Sequence, residues 1–266
     1  MAAAIFAGQM LNFSVTGGTS GHLLGAAIAV ALLGPWAAVV VMTCVVGTQA
    51  LLFQDGGLLA LGGNLVNMAV IGVAVAYAAY SVMRKLVGDR SPGLFVSGFV
   101  AGWFSIFFAA LACALELALS GTSPANVSVP AMGSIHALIG VGEGLITAAA
   151  LGLVYTARRD ILHRDEASSG GRGVVMGGLV VAVLLAVLSP LASTHPDGLE
   201  WVAEEHGFLG TALQAPFHIM PDYVFPGIPN DRLATVVAGI VGVLVVLLVT
   251  LIAGSARRRR ESGRVA

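Results

Sequence analysis

The chain has 266 residues, 57% of them hydrophobic and 10% charged, with a net charge of -1. Soluble domains carry about 25% charged residues, and the mean hydropathy here is +0.92. A water-soluble enzyme and a nucleic-acid-binding surface are both excluded, and a polytopic membrane protein in contact with lipid is expected.

The first apolar run, Met1 to about Phe13, is shorter than the roughly 20 residues a spanning helix needs, and reads as the second half of a helix. It contains Gln9 and Asn12. A polar, glycine-dense hexapeptide follows: Gly17, Gly18, Thr19, Ser20, Gly21, His22. Irregular backbone at membrane depth survives only where it is buried in protein or lines a cavity. An ionisable residue there points to function. The competing reading is a glycine-rich turn whose histidine caps a helix.

A short run from Leu23 to Leu33 breaks at Gly34-Pro35-Trp36. Spans are then expected over Ala37–Phe53, Leu58–Met83, Phe95–Leu119 and Ala131–Tyr155. A Ser/Thr/Pro/Asn loop separates the last two over Ser120–Pro130. Two further spans, Gly173–Ala192 and Leu233–Ile252, flank a long polar loop, Ser193–Arg232. Cys44 and Cys113 sit inside apolar runs and read as small buried hydrophobes. The expected fold class is all-α: a polytopic transmembrane bundle over 1–159, a cytoplasmic linker over 160–172, a two-helix membrane hairpin with a long extracytoplasmic loop over 173–256, and a basic tail over 257–266.

Basic residues orient the spans, because Lys and Arg mark cytoplasmic loops. All 13 except Arg232 fall in three segments: around Arg84 and Lys85, in the linker around Arg158 and Arg159, and in the tail from Arg257. Alternating spans put all three on one side, so the C-terminus is expected in the cytoplasm. The hexapeptide and the Ser193–Arg232 loop then face outward.

His22 is the leading candidate ligand, since neutral imidazole suits Zn, Cu, Ni and Co. One histidine is not a whole site. His136 and Glu143 are seven residues apart, two helical turns, and share a face. The bland reading makes them an interhelical hydrogen-bonded pair. The alternative is a supporting role at a ligand pathway. Glu116 reads as solvated near the outer surface. Asn64 and Asn67 share a face (i, i+3) and read as interhelical glue. The outer loop carries three histidines and six acids and reads as a solvated loop without a direct ligand set. Ser20 and His22 are too close in sequence to form a nucleophile–base pair by themselves. No Gly-rich Lys-Ser/Thr phosphate loop is present.

These residues together closely resemble the CbiM/NikM family. The match rests on Gln9-Met10-Leu11-Asn12-Phe13, the run from Gly17 to Gly25, Leu33 to Ala37, Gln49 to Gly57, Asn64, Asn67-Met68-Ala69, and His136 to Gly140 with Glu143. The second module resembles the PDGLE domain through Pro196 to Glu200, Gly207-Phe208 and Pro221 to Gly227. The resemblance implies the substrate-capture membrane component of a cobalt/nickel energy-coupling-factor (ECF) importer, not an enzyme, in a prokaryotic plasma membrane. It implies Co(2+) or Ni(2+) as transported substrate and no resident cofactor. The implied partners are a membrane coupling subunit and cytoplasmic ATPase subunits, with cobalamin biosynthesis as a destination for cobalt. Of the family's nitrogen ligands only the loop histidine maps onto this sequence, at His22. The family's amino-terminal Met-His segment and first helix are not matched, since Met1-Ala2 aligns within its second helix. Two explanations stand: a start further upstream, or a non-transporting scaffold or regulatory remnant.

Overall fold

The computed structural model describes residues 1–88, 91–157, 171–213 and 215–262, with no side chains described at 171–172 or 256–262. Arg90, the linker residues Arg158, Arg159 and Arg164, and Arg264 lie outside the described set.

The first helix, α1 (Ala2–Gln9), is apolar all round and buried on nearly every side. A helix without a polar face is buried in protein or in lipid, and this one is buried in protein. It packs among α3, α8 and α10. A two-stranded antiparallel hairpin follows, β1 (Phe13–Val15) and β2 (Thr19–Gly21), in the register Phe13–Gly21, Ser14–Ser20, Val15–Thr19. Its three-residue tip, Thr16-Gly17-Gly18, places both glycines at positive φ, 93° and 84°, which glycine reaches without a Cβ clash. The glycine-rich stretch is therefore a small sheet inside an all-α fold.

Helix α2 (Ala26–Leu33) turns at Gly34 into α3 (Pro35–Thr48), with Pro35 at a helix-opening position. The end of α3 widens to π-helix over Gln49–Phe53. A second π segment, Leu65–Ile71, joins α4 (Leu61–Asn64) to α5 (Gly72–Val87). Next come α6 (Ser91–Leu119) and α7 (Ala125–Ala157). The polar loop expected over 120–130 is shorter than its composition suggests, because α7 begins at Ala125 and carries Pro130 near its start. The second module contributes α8 (Gly171–Leu188), a short α9 (Gly198–Glu205) in the outer loop, and α10 (Asp231–Ser262), whose start is capped by the Asn230 side chain on the Leu233 amide at 3.0 Å.

Among the described residues, six helices are long and apolar enough to cross a membrane: Pro35–Phe53, Leu61–Val87, Ser91–Leu119, Ala125–Ala157, Gly173–Leu191 and Asp231–Ser255. Small residues set their spacing. A Cβ on Gly102 would lie 3.2 Å from the Glu143 carbonyl and from the Gly144 Cα, so α6 and α7 touch backbone to backbone. A Cβ on Gly242 would collide with the Phe6 ring, so α10 closes directly onto α1. The hairpin of the second module is thus built into the first through α1.

Candidate functional site

A cavity of about 190 Å³ lies where β2, the turn after α3, α7 and α9 converge. Gly21 and His22 form one wall and His136 and Ile139 another; Asp55, Asn64 and Asn67 line a third, and Asp197 and Gly198 cover the remainder. Gln9 also lines it.

Each wall has a local cause. The hairpin is pinned from outside: the Ser20 amide donates to the Pro196 carbonyl at 2.8 Å, and the Ser20 hydroxyl donates to the His195 carbonyl at 2.9 Å. The Thr19 hydroxyl donates to the Pro196 carbonyl at 3.1 Å. At the hairpin's far end the Ser193 amide donates to the Asn12 carbonyl at 2.8 Å. From inside, Glu143 accepts from the Leu24 amide at 2.6 Å and the Gly25 amide at 3.0 Å. These amides open α2, where a carboxylate meets unsatisfied donors and the positive helix end. Glu143 is fully buried, and this contact is what makes that burial tolerable.

His22 is half-buried, and its Nδ1 lies 3.1 Å from the Leu23 carbonyl. His136 Nδ1 lies 2.9 Å from the Met132 carbonyl. A carbonyl only accepts, so in each neutral ring Nδ1 carries the proton and Nε2 the lone pair. This is the orientation that a hydrogen bond to a backbone carbonyl imposes on metal-binding histidines. Among the described residues, no three His, Cys, Asp or Glu side chains converge closely enough to hold a metal ion directly.

The DGLE segment has a stereochemical rationale. Asp197 caps α9, accepting from the Leu199 and Glu200 amides at 2.8 Å each, and Glu200 closes a capping box on the Asp197 amide at 3.3 Å. Gly198 has no room for a side chain: a Cβ would lie 2.8 Å from His136 Cε1 and 3.0 Å from Nε2. A second clasp joins the outer loop to the turn after α3. The Met220 amide donates to the Leu52 carbonyl at 3.0 Å, His218 Nδ1 lies 3.0 Å from Gln54 Oε1, and the Tyr223 hydroxyl donates to Asp55. Tyr223 stacks on Phe53 with centroids 4.6 Å apart. Burial, reinforced by the Asp55 carboxylate, pushes the Tyr223 phenol well above its usual range, so it remains a donor.

Several expectations change. His136 and Glu143 do not pair; each bonds to backbone, Glu143 to the α2 entrance and His136 within its own helix. Gly17 and Gly18 are exposed at the hairpin tip, and Thr19 and Ser20 face the outer loop, so only Gly21 and His22 of the hexapeptide reach the cavity. Asn12 touches the outer loop through its carbonyl. Glu116 is not simply solvated, because it accepts from Asn67 Nδ2 at 2.8 Å. Asn64 and Asn67 both bond across elements, Asn64 to the Gly56 carbonyl at 2.7 Å. The outer loop is docked and contributes Asp197, Gly198 and Leu199 to the lining. Asp55, Asp197 and Gln49 were absent from the sequence-based site, although an Asp-x-x-Glu spacing after proline does announce a capped helix at Asp197.

Residues 1–161 match the CbiM family, described as the cobalt uptake substrate-specific transmembrane region. This chain belongs to the CbiM family. Residues 172–259 match the PDGLE domain. The fused nickel transport protein NikMN of Rhodobacter capsulatus is 30% identical, over 99% of this chain and 87% of its own length. A NikMN protein of Archaeoglobus fulgidus is 37% identical over 93% of this chain and 81% of its own. The cobalt transport protein CbiM of Sorangium cellulosum is 34% identical over 62% and 74%. A crystal structure of a transition metal transporter aligns with a TM-score of 0.52 at 36% identity, covering 61% of this chain and 77% of that one. As a CbiM-family protein the chain is a multi-pass membrane transport component and not an enzyme.

Proposed function

We propose that this chain is the substrate-capture component of an ATP-driven ECF-type importer of Co(2+) or Ni(2+), with His22 Nε2 as a metal ligand. The observation that carries this is His22 itself: a histidine on a cavity wall, its Nδ1–H held by a carbonyl and its lone pair left for a ligand. Gly21 gives the backbone its close approach, Glu143 fixes the loop's exit, and Gln9, Asn64 and His136 complete the surroundings. Energy would come from separate ATPase subunits acting through a membrane coupling subunit, and imported cobalt would serve cobalamin biosynthesis. The basic residues around Arg84 and in the tail favour a cytoplasmic C-terminus. The docked Ser193–Arg232 loop then covers the metal entrance and stabilises the site, with the CbiM-like unit ending near 159 and the PDGLE unit spanning 173–256.

Binding of Ni(2+) and Co(2+) to the purified full chain tests this. His22→Ala is expected to weaken binding by at least about tenfold, the worth of one strong ligand interaction. Unchanged binding would reject the assignment. Acidification is expected to weaken it too, since protons compete for the same lone pair. A second reading, a non-transporting scaffold, is favoured by the absence of a converged His/Cys/Asp/Glu trio among the described residues. A folded chain that binds neither metal would support that reading.

A further inference from the structure

The turn after α3 fixes the backbone of Asp55 from both sides. Gln54 before it stands at φ 59°, with its Nε2 donating to the Phe217 carbonyl. The Gly56 carbonyl after it accepts from Asn64 Nδ2 at 2.7 Å. The Asp55 side chain is fixed as well. Gln49 Nε2 donates to the Tyr223 hydroxyl at 3.3 Å. An amide N–H only donates, so the phenol proton is directed to Asp55 Oδ2. Asp55 is thereby held as an acceptor, the role of an ionised carboxylate. Its other oxygen, Oδ1, has no hydrogen-bond partner among the described residues.

Asp55 lines the cavity and is itself an exposed residue, which puts it at the cavity's mouth. Of the charges around it, that of His22 acts on it most strongly, ahead of Asp197 and Asp222. No Lys or Arg lines the cavity among the described residues, so no basic side chain of the lining competes for this carboxylate. A divalent ion on neutral imidazole alone would keep both of its charges, and unpaired charge is costly wherever water is partly excluded. A carboxylate beside that imidazole cancels one of them.

We propose that Asp55 is a direct oxygen ligand of the captured divalent ion, through Oδ1, and that Tyr223 is the positioning residue that holds it there. This role rests on the metal-capture reading and deepens it. It gives the outer loop a chemical part in capture besides that of a cover. Loop docking and ion binding share one carboxylate, so each favours the other. His22 and Asp55 make a nitrogen–oxygen pair, and the ion's other positions stay open to water. That fits the absence of a converged His/Cys/Asp/Glu trio among the described residues.

Titration of the purified full chain with Ni(2+) and with Co(2+) tests both roles in a double-mutant cycle. Asp55→Asn keeps an oxygen to accept from Tyr223 but removes the charge, and is expected to weaken binding at least about tenfold. Tyr223→Phe keeps the ring and removes only the donor, and is expected to weaken binding about tenfold, the worth of a hydrogen bond to a charged group. In the Asp55→Asn background the same Tyr223→Phe change is expected to cost less than about twofold, because the carboxylate it positions is gone. Equal losses in both backgrounds would mean that Tyr223 acts only by docking the loop, and would overturn its positioning role. The Asp55→Asn deficit is expected to persist at about 1 M KCl, where the Debye length is about 3 Å. A deficit that vanishes there would reduce Asp55 to a screened attraction and overturn its role as ligand. Binding that depends on His22 but is untouched by Asp55→Asn would overturn the inference and leave metal capture standing. A folded wild-type chain that binds neither ion would remove both.

Discussion

At the scale of single residues, Glu143 holds the greatest structural leverage. Its carboxylate satisfies the Leu24 and Gly25 amides inside the bundle. Glu143→Ala is expected to destabilise the fold by about 2–4 kcal/mol, because buried hydrogen bonds to a charged group are lost together. Glu143→Gln, which keeps one acceptor oxygen, is expected to lose less. Thermal unfolding in detergent gives the comparison. The glycines of the hairpin separate backbone strain from crowding. Gly18 has φ 84° and nothing near its missing Cβ, so Gly18→Ala is expected to cost about 1 kcal/mol through conformation alone. Gly21 would bring a Cβ to 2.5 Å from Ile139 Cγ2, so Gly21→Ala is expected to displace β2 and weaken metal binding more than Gly18→Ala does. Equal effects from the two substitutions would contradict this account.

At the scale of elements, the outer loop is held by two clasps, one at the hairpin and one at the turn after α3. Tyr223 anchors the second clasp from a backbone with φ 58°, next to Asp222 at 53°. Two consecutive non-glycine residues in this region are strained, and the Asp55 and Gln49 hydrogen bonds with the Phe53 stack offset that strain. The Tyr223 phenol is raised in the folded protein. Its contribution to docking is therefore fully present below the ordinary phenol pKa of about 10 and is lost as pH rises through the raised value. Hydrogen exchange of the 217–224 segment is expected to stay constant from neutral pH to about pH 9 after correction for intrinsic rates, and to accelerate above about pH 10. Tyr223→Phe should show faster exchange throughout and no such rise. Gly198→Ala is expected to loosen α9 by driving a methyl into His136, visible as faster exchange over 198–205.

At the scale of the whole molecule, the cavity exists only because two sequence modules share it. Its walls come from the CbiM-like unit and its cover from the PDGLE unit, while α1 is clamped between α3 and the α8–α10 hairpin. Deleting Ser193–Arg232 is expected to expose the Thr19 and Ser20 hydroxyls, reduce thermal stability and abolish uptake in cells that carry the remaining transporter subunits. Full uptake by that deletion would remove the loop from the mechanism. Single cysteines at 195 and 218 are expected to react with an impermeant thiol reagent from outside the cell, whereas one at 257 should react only after permeabilisation.

The amino-acid sequence by itself determined the class and the spans, because apolar run length responds to the bilayer one segment at a time. It also singled out His22, since a polar glycine-rich stretch between apolar runs is visible without neighbours. The tertiary structure alone decided the partners. Nothing local in Glu143 announces that it caps α2 119 residues away in sequence, at the Leu24 amide. The Leu65–Ile71 π segment, which carries Asn67, has no signature of its own under a 3.6-residue period. The outer loop read as solvated because its composition is polar, yet its polar groups meet backbone from another module. Periodicity reports which way a residue faces along its own helix, while a cavity is defined by distances between elements, and those are set only when the helices pack.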